Sequence, residues 1–223
     1  MPKVMLLAAG RGERMRPLTD SLPKPLLKIQ NNISLIEYQI KKLKSAGLTD
    51  IVINISWLGD QIVDFLGDGS SYGVNIQYSD ERECALETAG GIIKALKFLG
   101  PEPFIVINSD IYTDYDPAVL QLQKNKLAQL VLIPNPEFHP EGDFYMNNKK
   151  LHPAQGEKFT FSGIAMYHPD LFKGLPIDVL ALAPLLRSAI TEFKIEAEVF
   201  YGKWFDIGTP ERLNEIKHEL LNS

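Results

Sequence analysis

Cysteine and long apolar runs are nearly absent from this sequence. Cys84 is its single cysteine, so no disulfide can form within the chain, which is typical of a reducing cytoplasm. The apolar run from Val4 to Ala9 has six residues. That is too short for the core of a signal peptide or for a bilayer, which needs about 20 residues. We therefore predict a cytoplasmic protein with no membrane partner.

Basic residues are also in the minority. The chain has 23 Lys and Arg residues against 28 Asp and Glu residues, a net charge of −5. A nucleic-acid-binding protein normally presents a basic face, so we expect no nucleic-acid partner. No internal repeat or low-complexity tract is present, which predicts one domain over residues 1–223. The four histidines lack metal-ligand spacing and are predicted to be surface or loop residues: His139, His152, His168 and His218.

Strands and helices alternate in the first half of the chain. The helix after the first strand has capping-box spacing at Ser34 and Glu37, and Gly47 follows it in the C-cap position. Such alternation predicts an α/β fold with a largely parallel sheet. The predicted strands are 4–9, 51–55, 74–78 and 104–108, and the predicted helices are 34–46, 60–66 and 88–96.

The pattern changes after Leu132. Prolines mark a loop, the Asn147–Lys150 tract resembles a hairpin turn, and strands are predicted at 160–167 and 196–205. A helix is predicted at 179–193, and Thr209-Pro210 is a strong start for the last helix. We expect this half to extend the sheet with antiparallel strands. This change divides the chain into two halves, about 1–115 and about 116–223.

A glycine-containing segment, residues 10–24, follows the first strand and is called the glycine loop below. Glycines at a strand end let backbone amides approach a phosphate closely. Neither the dinucleotide fingerprint nor a P-loop fits, because Met15 stands where a third glycine belongs and no Gly-Lys-Ser/Thr follows. Between residues 11 and 28, five cations face two acids, which predicts a local anion site. Those cations are Arg11, Arg14, Arg16, Lys24 and Lys28.

The stretch from Leu7 to Thr19, read together with Pro23-Lys24-Pro25-Leu26, resembles the signature of the sugar-1-phosphate nucleotidyltransferases. The resemblance implies a Rossmann-like fold with a mixed, mainly parallel central sheet flanked by helices. It makes residues 1–115, approximately, a nucleotide-binding half and residues 116–223 a sugar-phosphate half. It also implies that Lys24 contacts the reacting phosphates and that Arg14 and Lys24 are catalytic. The residues it assigns to the nucleotide in this segment are Ala9, Gly10, Gly12, Glu13, Arg14 and Lys24.

Two further segments carry candidate nucleotide and metal contacts. In Leu86–Gly91, Thr88 is predicted to cap a helix whose glycines leave its first turn bare, and the resemblance places Gly90 against the base. Asp110 follows the strand 104–108, where ligands of parallel sheets gather, and it suits Mg²⁺, which favours one or two carboxylates with phosphates and waters. The resemblance makes Asp110 catalytic and adds Asp206 as the second Mg²⁺ carboxylate. Asp114 and Asp116 are predicted to be turn and helix-cap residues.

The acceptor side is predicted from the Thr160–Tyr167 strand, which resembles the sugar-side strand of that family. Asn108, Asp143 and Gly163 are assigned to the sugar phosphate. Within the family, the loop at 86–91, the Gly142-Asp143-Phe144 element and this strand are most similar to the N-acetylmuramate-1-phosphate uridylyltransferases. The resemblance therefore implies UTP and N-acetylmuramate 1-phosphate as substrates, pyrophosphate as a product, and a role in peptidoglycan recycling.

Three alternatives stay open on the sequence. A related nucleotidyltransferase could use mannose 1-phosphate, glucose 1-phosphate or phosphocholine with another nucleotide. A metal-dependent glycosyltransferase could use Asp114-Tyr115-Asp116, which would leave the glycine loop unexplained. An inactive regulator would be expected to have lost Lys24, Asp110 or Asp206, and all three are present. No pattern predicts an oligomeric state.

Overall fold

The computed structural model describes residues 1–30 and 32–221, in which a mixed β-sheet is flanked by helices. No helix in these residues combines the length and hydropathy needed to cross a membrane. The α-helices are α1 (Leu35–Ser45), α2 (Gly59–Leu66), α3 (Glu87–Leu99), α4 (Leu182–Thr191) and α5 (Pro210–Leu221). The strands are β1 (Val4–Leu7), β2 (Lys28–Gln30), β3 (Ile33–Ser34), β4 (Asp50–Ile55), β5 (Asn75–Asp80), β6 (Phe104–Asn108), β7 (Ile111–Thr113), β8 (Ala128–Ile133), β9 (Phe144–Asn147), β10 (Lys150–His152), β11 (Glu157–Tyr167), β12 (Ile195–Val199) and β13 (Trp204–Asp206).

The main sheet has a parallel part and an antiparallel part, as predicted. Strands β6, β1, β4 and β5 lie side by side and are all parallel. Strand β11 joins the other edge of β6 antiparallel, and β8 and β9 pair with β11 in the same sense. Strand β12 then runs parallel to β8, and β10 closes a hairpin on β9. The first half of the chain thus builds the parallel part, and the second half extends it.

Strand β1 is apolar throughout because helices cover both faces of the sheet there. Val4 and Leu6 pack with α1 and α2 on one face, while Met5 packs with α3 and α4 on the other. All three side chains are fully buried. Successive side chains of a strand point to opposite faces of the sheet. Because both faces of this strand are buried, its sequence is a continuous apolar run.

Helix α1 begins and ends at the predicted residues. The Ser34 hydroxyl accepts a hydrogen bond from the Glu37 amide at 3.3 Å, and the Glu37 carboxylate accepts one from the Ser34 amide at 2.8 Å. At the other end Gly47 has a φ of +77°, and the Leu48 amide donates to the Leu43 carbonyl at 2.9 Å. The capping box and the glycine stop are both confirmed.

Two local predictions are wrong. Thr88 does not cap α3, because Leu86 occupies the N-cap position and Thr88 lies in the first turn. The predicted strand 196–205 is two strands: β12 joins the main sheet, whereas β13 pairs with β7 in a separate two-stranded ribbon. The chain bends at Phe200–Lys203 because it changes from one sheet to the other.

Replacing Ser34 by alanine should lower the free energy of unfolding by about 1–2 kcal/mol, since the cap of α1 loses its side-chain acceptor. In a chain of this size we expect the melting temperature to fall by several degrees. Ser45→Ala on the same helix is the matched control, because the Ser45 hydroxyl is exposed and bonds only the Lys41 carbonyl. Chemical denaturation of both variants checks the difference, and equal losses in the two would contradict it.

Candidate active site

The candidate site lies where the carboxyl ends of β1 and β6 meet. These strands are neighbours, yet the chain leaves β1 toward β4 and β5 on one side and returns to β6 on the other. Such a reversal in strand order opens a crevice at the carboxyl edge of a parallel sheet. The glycine loop follows β1, and Asp110 follows β6, so both reach this crevice.

The glycine loop offers a run of unpaired backbone amides. Among the described residues, the amides of residues 10–14 have no hydrogen-bond acceptor. A side chain at Gly10 would meet no atom within 4 Å, so the backbone there is open. Gly12 has a φ of +67°, and a Cβ at this position would lie 3.1 Å from Thr19 and 3.2 Å from Lys24. The loop therefore needs glycine at 12 for its conformation, and its amides form a concavity that suits an anion.

Three of the five cations predicted to form the anion site are instead committed to the loop's own structure. Arg11 donates to the Thr19 carbonyl at 2.8 Å and stacks 3.7 Å above the Trp57 ring. Arg16 pairs with Asp20 at 2.7 Å, and Lys28 lies 3.4 Å from Glu37. The Trp57 indole also donates to the Thr19 carbonyl at 3.2 Å, which ties the loop to the end of β4. Only Arg14 and Lys24 remain directed at the crevice.

Lys24 and Asp110 form an ion pair across the crevice. Lys24 begins a short helical turn, Lys24–Leu26, between Pro23 and Pro25, and both prolines are buried. Its Nζ lies 2.5 Å from Asp110 Oδ2, and the Lys24 side chain is 11% exposed. The two predicted catalytic residues therefore lie in direct contact, although they come from opposite ends of the nucleotide-binding half.

The β7–β13 ribbon carries Asp206 to the same place. Its register sets Asp206 opposite Ile111, the residue after Asp110, and the Ile207 amide donates to the Asp110 carbonyl at 2.9 Å. Burial raises the pKa of Asp206, and the neighbouring Asp110 charge raises it further. Lys24, Arg212 and Arg14 act in the opposite direction. The predicted juxtaposition of these two carboxylates is present in the structure.

Arg212 is a site residue that the sequence did not reveal. Its Nη1 lies 2.5 Å from Asp206 Oδ2, and its guanidinium stacks 3.4 Å from the Phe138 ring centre. Arg212 stands in the first turn of α5, where a cation opposes the helix dipole. That unfavourable position is the one signal that could have marked it, together with an aromatic residue, Phe138, half exposed in a proline-rich loop.

These residues surround a cavity of about 370 Å³, called the first cavity. Arg14, Asp110, Asp206 and Arg212 line it, together with Asn108, Ile111, Phe138, His139, Thr160, Phe161, Ser162 and Trp204. His139 was predicted only as a surface or loop residue. It does lie in a loop, but it also lines this cavity. Its Nε2 lies 3.1 Å from Asp143 Oδ1.

A second cavity of about 440 Å³ adjoins the first, and the two share Asn108 and Phe161. Asp143 lines the second cavity, where its Oδ2 accepts a hydrogen bond from the Phe161 amide at 2.8 Å. Gly163 has a φ of +80°, and a Cβ there would approach the Asn108 side-chain nitrogen to 2.6 Å. The three residues assigned to the sugar phosphate thus lie together, with Gly163 making room for Asn108 and Asp143 tying the 134–143 loop to β11.

The assignment of Gly90 to the nucleotide meets a different geometry. Its amide donates to the Leu180 carbonyl at 3.3 Å, and a Cβ there would lie 2.0 Å from the Asp178 carbonyl oxygen. In this conformation the glycine serves the close passage of residues 178–180 over α3. A contact between Gly90 and the base stays a prediction.

A buried carboxylate supports the glycine loop from below. Glu81 is 2% exposed and accepts a hydrogen bond from the Asn54 amide at 2.8 Å. Asn54 in turn accepts one from the Ala8 amide at 2.7 Å, just before the glycine loop. Burial raises the pKa of Glu81, and Asn54 opposes that shift. Sequence reasoning missed this chain, which fixes the end of β1 relative to β4.

The Asp114-Tyr115-Asp116 triplet has a structural role. The Asp116 side chain caps the turn at Pro117–Val119 by accepting from the Ala118 amide at 2.9 Å. Tyr115 is buried, and its hydroxyl donates to Glu198. The predicted turn and cap roles are confirmed for Asp116, and the triplet does not line the first cavity.

Asp110 and Asp206 are the residues that could hold a metal. No group of three or more His, Cys, Asp or Glu side chains suited to a metal occurs within residues 1–30 and 32–221. A metal site built from protein ligands alone is therefore not available in that part of the chain. Two carboxylates on one cavity wall do fit Mg²⁺, which takes its other ligands from phosphates and water.

Comparison with known proteins agrees with this geometry. A family model described as nucleotidyl transferase matches residues 3–144. The chain is 48% identical to the N-acetylmuramate alpha-1-phosphate uridylyltransferase of Neisseria meningitidis serogroup B, with 96% of each protein covered. It is 30% identical to the protein of the same name from Caulobacter vibrioides, with 94% of this chain and 93% of that protein covered.

The fold has a counterpart among solved structures. A crystal structure of a candidate glucose-1-phosphate thymidylyltransferase from Bacillus anthracis, in complex with sucrose, superposes with a TM-score of 0.86. The superposition covers 98% of this chain and 95% of the Bacillus anthracis chain. The two sequences are 23% identical, so this likeness supports the fold alone. Together with the glycine loop and the paired carboxylates, these matches confirm the family resemblance. The chain belongs to the nucleotidyl transferase family, among the sugar-1-phosphate nucleotidyltransferases.

Proposed function

We propose that this enzyme transfers a uridylyl group from UTP to N-acetylmuramate 1-phosphate, giving the UDP-sugar and pyrophosphate. The observation that carries the proposal is that Asp110, Asp206 and Arg212 line one cavity beside a loop of unpaired amides, with Lys24 paired to Asp110. The choice of base and sugar rests on the two uridylyltransferases that cover nearly the whole chain. The cytoplasmic location and the role in peptidoglycan recycling belong to the same proposal.

The reaction is an in-line displacement at the α-phosphorus. An oxygen of the sugar phosphate forms a bond to that phosphorus while the bond to the pyrophosphate oxygen breaks. The attacking phosphate is already ionised at neutral pH, so no general base is needed. Catalysis of this kind is mainly positioning and electrostatic stabilisation. The enzyme must therefore hold two anions together and neutralise the charge that moves to pyrophosphate.

The chain's own residues supply that neutralisation. The amides of residues 10–14 would bind the phosphates of the nucleotide, since they have no acceptor among the described residues. Arg14 and Lys24 would contact the reacting phosphates, and Lys24 would exchange part of its contact with Asp110 for a phosphate oxygen. Arg212, stacked on Phe138 and paired with Asp206, keeps the second carboxylate in place.

Asp110 and Asp206 would hold Mg²⁺. They would hold the ion beside the phosphates, where it would supply positive charge against theirs. Burial raises the pKa of Asp206 and the Asp110 charge raises it further, and a cation held there would relieve the repulsion between the two carboxylates.

The substrate pair is tested by pyrophosphate release. Purified enzyme is incubated with each of UTP, GTP, CTP and dTTP against N-acetylmuramate, N-acetylglucosamine, mannose and glucose 1-phosphates, with Mg²⁺ or with a chelator. We expect release with UTP and N-acetylmuramate 1-phosphate, and none in the chelator. Release with another pair alone would keep the mechanism and remove the cell-wall assignment. No release from any pair, by folded protein, would favour a glycosyltransferase or an inactive regulator.

Lys24→Ala, Asp110→Asn and Asp206→Asn should each lower kcat/KM by a factor of about 10²–10³. The first removes a cation that would face the transferring phosphates, and the other two each remove a carboxylate that would hold Mg²⁺. Asp116→Asn is the matched control, since asparagine also caps a turn and residue 116 lies outside the first cavity. Steady-state kinetics on the variants, with circular dichroism to check folding, measures the effect. Near-normal turnover by Lys24→Ala or Asp110→Asn would contradict the assignment.

A further inference from the structure

The second cavity holds a charge pattern that the transfer chemistry does not use. It shares Asn108 and Phe161 with the first cavity, so a sugar whose phosphate lies in the first cavity would extend into the second. Two acids line it, Glu87 and Asp143, and Arg187 is the one cation among its lining residues. A neutral sugar would need no such cation.

Arg187 lines the second cavity and has no partner among the described residues. It lies on α4 beside Leu186, which is 1% exposed, while Arg187 itself is exposed. In the part of the chain that the structure describes, no ion pair, hydrogen bond or ring contact engages its guanidinium, although Asp143 lines the second cavity with it. Asp143 is instead bonded to the Phe161 amide and to His139. The guanidinium is therefore available to a ligand in the second cavity.

We infer that Arg187 selects the acceptor by binding a carboxylate carried on the sugar ring. This rests on the proposed function, in which the acceptor is N-acetylmuramate 1-phosphate, a sugar with a lactyl ether at position 3 that ends in a carboxylate. A planar guanidinium matches the geometry of a carboxylate and binds it with two parallel hydrogen bonds.

The rest of the lining fits the same substituent. Leu182, Leu186 and Phe144 give the cavity an apolar wall, against which the methyl groups of an N-acetyl and a lactyl group can pack. Glu87 and Asp143 would repel a carboxylate that lacked a cationic partner, so Arg187 decides whether the anionic sugar is accepted. Two buried leucines, Leu182 and Leu186, anchor α4 and so fix the backbone position from which the Arg187 side chain extends.

The test compares two acceptors that differ in one charge: N-acetylmuramate 1-phosphate and the same compound with its lactyl carboxylate converted to the amide. Wild type, Arg187→Gln and Arg187→Lys are assayed with UTP, and Ser188→Ala serves as the matched control, because Ser188 is exposed and lines neither cavity. For each acceptor kcat/KM is measured. If the enzyme does not turn over the amide, the amide is instead assayed as an inhibitor of the reaction with the acid, and its inhibition constant is compared between variants.

We expect Arg187→Gln to lower kcat/KM for the acid by roughly 10- to 100-fold, as for a lost hydrogen bond to a charged group, and to leave the amide within about twofold. Arg187→Lys should fall between, and Ser188→Ala should match wild type. An unchanged ratio of acid to amide in Arg187→Gln, in an enzyme that uses the acid, overturns this inference and leaves the proposed function standing. A wild-type enzyme that does not use N-acetylmuramate 1-phosphate overturns both.

Discussion

Two carboxylates that repel each other must face the same cavity, and much of the fold around the site serves to hold them there. Burial raises the pKa of Asp206, and the nearby charge of Asp110 raises it further. The two carboxylates therefore repel each other. The arrangement is stable without a ligand because each acid has its own cation, Lys24 for Asp110 and Arg212 for Asp206. Lys24 lies in the short turn Lys24–Leu26, and Arg212 lies in the first turn of α5.

This constraint explains why the last strand leaves the main sheet. Strand β12 pairs with β8 in the main sheet. After Val199 the chain leaves that sheet, and β13 pairs with β7 instead. Only that pairing sets Asp206 beside the residue after Asp110. The hydrogen bond from the Ile207 amide to the Asp110 carbonyl then locks the two segments together. A single continuous strand over 196–205 would have directed Asp206 along the edge of the sheet and away from the cavity.

The sequence predicted what local rules determine. Apolar runs, the capping box at Ser34 and Glu37, and the proline at the start of α5 gave the strands and helices of the parallel half and the last helix. The glycine loop also follows from local chemistry, because Gly12 adopts a conformation that favours glycine. Asp206 was placed beside Asp110 only through a family resemblance, since no spacing rule joins residues so far apart in the chain.

What the sequence did not predict depends on contacts between distant segments. A count of charges treated Arg11 as part of an anion site, but Trp57 and the Thr19 carbonyl, from separate parts of the chain, already engage it. Arg212 looked like an ordinary helix residue until Phe138 and Asp206 were seen around it. Thr88 has the chemistry of a helix cap, yet α3 begins at Glu87, and the Leu180 carbonyl accepts from the Ala89 and Gly90 amides of its first turn. In each case a tertiary partner outcompeted the local preference.

The division into two cavities separates the chemistry from the choice of acceptor. The first cavity holds the groups that we propose to act on the phosphates, and these requirements are the same for any sugar 1-phosphate. The second cavity is lined largely by α4 and the start of α3, and the proposed phosphate chemistry depends little on the side chains of these two helices. On the inference drawn for Arg187, a change on the exposed side of α4 would alter which sugar is accepted without disturbing Lys24, Asp110 or Asp206. Asn108 lies at the junction of both cavities, and Gly163 is required beneath it because any side chain there would displace Asn108.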